Sequence, residues 1–163
     1  MTRVAVIADT HLPRGARRLP EACLRELRAA DAILHAGDIA SVGAYDELCA
    51  LGPAVYAVWG NVDEPALREL LPEERVVELD GVRIGMRHIA GREEALLERF
   101  AGCAAVVVGH SHLPVVERRR ETWLLNPGSP TERRRAPFHS MLRLELEGGE
   151  VRPELLRLSP FDT

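Results

Sequence analysis

The 163-residue chain contains no lysine, and all 21 of its basic side chains are arginine. This bias reads as the codon usage of a GC-rich genome rather than as a functional device. Cysteine is scarce and odd in number, with Cys23, Cys49 and Cys103 forming no close pair. A disulfide framework does not fit that count, and a reduced, cytoplasmic protein is expected. Long apolar runs are also missing. The longest stretch of small or apolar residues, 101–109, is about half of the roughly 20 residues a spanning helix needs. Asp9 interrupts the apolar start at 4–8, which leaves no room for a signal-peptide core. With no repeat and no linker, one domain over residues 1–163 is expected, large enough to bury about 70% of its unfolded surface.

Positive charge is in deficit as well, the net value being −4, whereas a general nucleic-acid binder shows a basic balance. The runs Arg118-Arg119-Arg120 and Arg133-Arg134-Arg135 are flanked by Glu117, Glu121 and Glu132 and read as solvated faces. A small-molecule partner is expected, with neither nucleic acid nor membrane, and the oligomeric state is left open. Arg14, Arg17 and Arg18 stand apart because they follow the first polar cluster directly. An arginine fork suits phosphate, so Arg14 is a candidate substrate contact, with plain loop surface as the alternative.

What the chain does have is a series of short apolar runs, each ending at residues able to ligate a metal. Segments 4–8, 32–36, 55–59, 82–87 and 104–108 read as strands. They stop at Asp9-Thr10-His11, Gly37-Asp38, Gly60-Asn61-Val62-Asp63, His88 and Gly109-His110-Ser111-His112. The polar groups would then collect at the carboxyl ends of neighbouring strands, where open α/β sheets bind ligands.

In order and type these blocks resemble the calcineurin-like metallophosphoesterases, whose signature runs D-x-H, G-D, G-N-H-D, H and G-H-x-H. The likeness covers Asp9 to His112, and Asn126-Pro127-Gly128-Ser129 narrows it to the small bacterial and archaeal phosphodiesterases, relatives of the retromer scaffold subunit. The resemblance implies an α/β fold, the four-layer αββα sandwich of two mixed β-sheets flanked by helices. It also implies a metal-bridging hydroxide at a dinuclear site, with Asp9, His11, Asp38 and His112 on the first ion and Asp38, Asn61, His88 and His110 on the second. Asp38, Asn61 and His110 would be the catalytic members. The implied activity is phosphodiester hydrolysis; a phosphomonoesterase, a dinucleotide-polyphosphate hydrolase or a non-catalytic scaffold are the alternatives.

The chemistry can be argued apart from the family. A two-metal hydrolytic site needs ions about 3.5–4 Å apart, which calls for a bridging carboxylate. Asp38 is the central acid of the set, and Gly37 before it lets the backbone approach closely. Residues i and i+2 of an extended segment share a face, so Asp9 with His11, and His110 with His112, would form two-pronged ligands. Mixed imidazole, carboxylate and amide donors suit a pair of divalent transition metals; Mn²⁺ is the expected ion, with Zn²⁺, Fe²⁺, Ni²⁺ or Co²⁺ as alternatives.

Two positions depart from the pattern. Val62 stands where most members carry a histidine that assists the leaving group. A valine transfers no proton, and a missing general acid costs typically 10²–10⁴-fold. The small phosphodiesterases often lack that histidine too, so the departure points to their substrate class. His88 is followed by Ile89-Ala90-Gly91 rather than by glycine at once, and is assigned as a ligand because no other histidine lies between Asn61 and His110. Asp63 reads either as the N-cap of a helix over 64–71 or as a support behind the ligands. His35, of opposite strand parity to Asp38, reads as a satisfied core or supporting histidine, and His139 as a surface loop residue. Helices are expected over 20–30, 45–51, 66–71 and 93–100, and strands over 115–117, 123–125, 141–147 and 151–157.

Overall fold

A computed structural model describes residues 1–12 and 18–159. The chain runs β1 (Thr2–Ile7), α1 (Glu21–Ala29), β2 (Ala32–His35), α2 (Val42–Cys49), β3 (Ala54–Ala57), α3 (Pro65–Leu70), β4 (Glu74–Leu79), β5 (Val82–Arg87), α4 (Glu93–Arg99), β6 (Ala105–Val107), β7 (Val115–Arg119), β8 (Thr122–Asn126), β9 (His139–Glu147) and β10 (Glu150–Leu158). Among the described residues, ten strands form two five-stranded sheets, in the orders β10-β9-β1-β2-β3 and β4-β5-β6-β8-β7. Both are mixed. Helical crossovers keep β1, β2 and β3 parallel, and Gly148-Gly149 turns β9 antiparallel into β10.

Strand periodicity explains the layering. Val4 and Val6 of β1 point into the cluster between the sheets, with Ile84, Met86, Val107, Leu125, Leu142 and Leu144. Their neighbours Ala5 and Ile7 point the other way, against Cys23 and Leu27 of α1. On the far face of the second sheet, Val106 and Val108 pack on Leu96 and Phe100. Each fully buried Leu or Ile contributes about 1.5–3 kcal/mol, so the pattern that chooses the faces also binds the layers. These are two mixed sheets flanked by helices, as expected.

Local boundaries differ in informative ways. α2 begins at Val42 rather than at 45, because the Ser41 hydroxyl accepts the Ala44 N–H at 3.1 Å and caps the helix three residues earlier. β4 was not anticipated. It pairs antiparallel with β5 across Asp80 and Gly81, whose φ values of 51° and 73° are those of a two-residue hairpin turn. No helix among the described residues is long and apolar enough to cross a membrane.

Candidate metal centre

The loops after β1 and β2 run side by side, the N–H groups of Asp9, His11 and Leu12 each donating at 2.9 Å to the carbonyls of Gly37, Asp38 and Ile39. This lacing holds an unusual backbone. Asp9, His11, Asp38, His110 and His112 have φ values of 56°, 48°, 62°, 72° and 62°, a left-handed region that costs non-glycine residues of order 1–3 kcal/mol each and clusters at functional sites. The extended i, i+2 geometry expected from sequence is therefore not what forms the ligand pairs. Asp9 and His11 do converge, but from left-handed turns, while His110 and His112 diverge into different groups of donors.

The first group is Asp9, His11 and His112. His11 Nε2 lies 3.9 Å and His112 Nε2 3.5 Å from Asp9 Oδ1. All three atoms are buried without a hydrogen-bond partner, an arrangement that costs about 1–3 kcal/mol per neutral polar group and more for a charged one. The second group is Asp38, His88 and the exposed His110. Asn61 Oδ1 joins it, 3.0 Å from both His88 Nε2 and His110 Nδ1. One oxygen links the two: Asp38 Oδ2 is 3.5 Å from His11 Nε2 and 3.0 Å from His88 Nε2.

Tautomers follow from what each ring faces. His88 Nδ1 meets the Ala36 carbonyl at 2.8 Å, and an oxygen with only lone pairs requires Nδ1 to carry the proton. In the neutral ring that leaves Nε2 as a lone pair converging with Asp38 Oδ2 and Asn61 Oδ1, three acceptors aimed at one point; in the protonated ring Nε2 donates to Asp38 instead. The point calls for positive charge. Burial opposes a charged His88, yet its hydrogen bond to Asp38 and the charges of Asp9 and Asp38 carry its pKa above the ordinary value. Burial likewise pushes Asp38 up, and the His88 bond more than reverses this. His112 Nδ1 donates to the Glu132 carbonyl, and burial lowers its pKa, which favours the neutral imidazole that a metal needs. Orphaned donors and mixed nitrogen and oxygen ligands fit a pair of divalent cations.

Behind the donors stands a frame of buried polar groups. The Asp63 carboxylate, 4% exposed, accepts the N–H groups of Ala40 at 2.6 Å, Gly60 at 2.7 Å and Asp38 at 3.2 Å. It is not the helix cap: that place belongs to Glu64, whose side chain makes no capping bond. His35 accepts the Gly37 N–H on Nδ1 at 3.1 Å and meets the Thr10 hydroxyl through Nε2 at 3.0 Å. Burial, reinforced by His88, drives its pKa down to about 3, so it stays neutral. Two glycines are required by close approach. A Cβ at Gly60 would lie 2.1 Å from Asp38 Oδ1, and one at Gly37 would lie 2.6 Å from His88 Nδ1.

Val62 is 46% exposed, and it is its backbone N–H that reaches the site, donating to Asp38 Oδ1 at 3.0 Å. Asn126 Nδ2 holds the Gly109 carbonyl at 3.2 Å, and the Ser129 hydroxyl holds that of Asp9 at 2.8 Å, so this turn is a support under the ligands. Sequence reasoning missed two contributors. Glu132 brings Oε2 to 3.8 Å from His11 Nδ1 and its carbonyl to His112, although it had read only as a partner for arginines. Arg68 donates to the Asn61 and Asp63 carbonyls at 2.6 and 3.2 Å; its place one turn into α3, past the ligand block, was the available signal. His139 opens β9, half-buried, rather than a surface loop. Arg14 and Arg17 lie outside the described residues, and Arg18 is exposed.

A sequence profile for the calcineurin-like phosphoesterase superfamily domain matches residues 2–149. A probable metallophosphoesterase of Methanothermobacter thermautotrophicus is 34% identical over 160 residues, spanning 94% of this chain and 91% of that one. Among solved structures, a Thermotoga maritima protein is 33% identical with a TM-score of 0.76, covering 97% of this chain and 100% of its own. Vps29 of Entamoeba histolytica complexed with Zn²⁺ is 25% identical with a TM-score of 0.74, covering 96% and 99%. The profile's span takes in every one of the candidate donors at the strand ends, and the chain belongs to the calcineurin-like phosphoesterase superfamily.

Proposed function

We propose that this protein is a cytoplasmic, metal-dependent phosphodiesterase that holds two divalent transition-metal ions, Mn²⁺ foremost. The observation that carries the reading is Asp38 Oδ2, within 3.5 Å of one histidine of the first group and 3.0 Å of one histidine of the second, with unpartnered donors beside it. Asp9, His11, Asp38 and His112 would hold one ion, and Asp38, Asn61, His88 and His110 the other. Bound there, the pair would neutralise charge on the phosphoryl oxygens and lower the pKa of water. Asp38 is kept in place by the Val62 N–H at Oδ1 and by Asp63 behind its backbone, so its other oxygen stays aimed between the groups. Asn61 brings its carbonyl oxygen within 3.0 Å of the ring nitrogens of both His88 and His110, which would make it a further donor to the second ion, and the exposed His110 borders the path by which an ester enters.

Preference for diesters rests on Val62. Its side chain offers no proton to a departing oxygen, so esters whose leaving group carries its own charge fare best. Protein purified without chelator, or reloaded with Mn²⁺, is expected to hydrolyse bis-p-nitrophenyl phosphate but not simple monoesters, and EDTA should abolish the activity reversibly. The likeness to Vps29 favours a second reading, a scaffold that binds metal without turnover. Two bound ions and no hydrolysis across a broad ester panel would establish that one instead.

A further inference from the structure

Six large apolar side chains among the described residues are exposed, and three of them, Val62, Ile89 and Leu113, follow Asn61, His88 and His112 directly in sequence. Each of these three candidate donors therefore has an exposed apolar side chain beside it in sequence. Ile89 also lines a groove of about 130 Å³ whose other walls include Trp59, Glu73 and Arg87, and whose floor is Asn61 and His88 of the second donor group. That is less than a whole small-molecule site, about 300–1,000 Å³, and is room for one part of a ligand. The groove therefore opens on the donors themselves.

Its chemistry is specific. Trp59 presents an indole with the Arg68 guanidinium 4.7 Å from its centroid, a side chain braced against movement. Arg87 donates and Glu73 accepts; Arg87 is held at 3.5 Å by Glu74 and lies 3.8 Å from Glu73, which is 59% exposed. An aromatic surface flanked by one donor and one acceptor matches a flat ring that carries both a carbonyl and an amine or imide N–H. We propose, on the reading that this protein hydrolyses phosphodiesters, that the groove binds a nucleobase on the non-leaving side of the ester, making nucleoside phosphodiesters the substrate class. A base stacks on Trp59, the Ile89 side chain closes over its edge, and Arg87 and Glu73 contact its polar atoms. The phosphoryl group then lies over Asn61 and His88.

The test uses two esters with one leaving group, the p-nitrophenyl ester of thymidine 5′-phosphate and methyl p-nitrophenyl phosphate. Stacking of a base on an aromatic side chain predicts a kcat/KM for the thymidine ester at least about tenfold higher, expressed mainly in KM. Ile89→Ser, at an exposed position where folding is not at stake, should cut that ratio several-fold, and Trp59→Leu should cut it further. Equal kcat/KM values for the two esters, or a ratio untouched by Ile89→Ser, overturn the assignment. Quenching of Trp59 fluorescence by thymidine, followed in a Trp123→Phe background, reads the groove without turnover. If neither ester is hydrolysed while thymidine still quenches, the diesterase reading fails and the base site stands. If thymidine does not quench, the base site fails whatever the hydrolysis shows.

Discussion

Removing the Asp63 carboxylate separates two quite different roles. In Asp63→Ala the N–H groups of Asp38, Ala40 and Gly60, all three now satisfied by one side chain, lose their acceptor. A buried donor left unpaired costs about 1–3 kcal/mol; taking the lower part of that range, because water can reach part of the opened space, the loss is about 3–5 kcal/mol. A simple helix N-cap would cost about 1 kcal/mol. For a domain of this size the larger loss lowers Tm by about 10 °C. Asp63→Asn should fall between, since its one amide oxygen can still serve Gly60 and Asp38 while its NH₂ faces the Ala40 N–H, donor against donor. Urea unfolding of metal-free protein, followed by circular dichroism, gives the stability, and titration calorimetry with Mn²⁺ gives the affinity. Because Asp63 pins the backbone of Asp38, affinity should fall in the same order as stability. A loss near 1 kcal/mol with unchanged metal affinity would refute the framing role.

Asp38→Asn should lose bound metal and nearly all hydrolysis together, since a neutral amide cannot offset two divalent charges; full activity with two ions retained, by metal analysis, would remove Asp38 from the bridge. His35, with a folded pKa of about 3 against an ordinary 6.5, takes up its proton only on unfolding. Stability of the metal-free protein should therefore fall as pH drops below 6.5, by about 1.4 kcal/mol per unit for this group, and His35→Gln should flatten the slope by one proton in urea titrations. Across aryl and alkyl diesters the rate should fall steeply as leaving-group pKa rises, and Val62→His should help poor leaving groups more than good ones, by up to about 10²-fold; a flat wild-type series, with chemistry rate-limiting, would mean that another residue supplies the proton.

The order of donors and the faces of most strands were legible because both are written in short-range patterns: apolar runs of strand length, each stopped by a residue of ligand type. β4 escaped because its charged positions, Glu74, Arg75 and Glu78, masked the alternation; Asp80-Gly81 between two strand-like runs was the signal that would have found it. The left-handed backbone at five donor positions was not legible at all. Nothing local requires Asp9 or His112 to adopt it; at Asp9 the N–H is held by the Gly37 carbonyl of a distant loop. Asp63 illustrates the same limit, since a carboxylate just before a helix reads as a cap until the three N–H groups that converge on it are known. Glu132 acts partly through its carbonyl, which no side-chain pattern can announce.

Asp9, Asp38 and Asn61 issue from the first sheet, and His88, His110 and His112 from the second. The distance between the two sets of donors is thus a property of how the layers stack, set beneath the site by Ala8, Ala36 and Gly109, where an added Cβ on Gly109 would come to 3.1 Å from Ala8 Cβ and 3.2 Å from the Ala36 carbonyl. Close-packed interiors transmit added volume rather than absorb it. A methyl group introduced at this floor would act as a shim, prising the sheets apart and retuning the gap between the two sets of donors, and it would press on Asp9 as well, whose Oδ2 lies 3.1 Å from the same added Cβ.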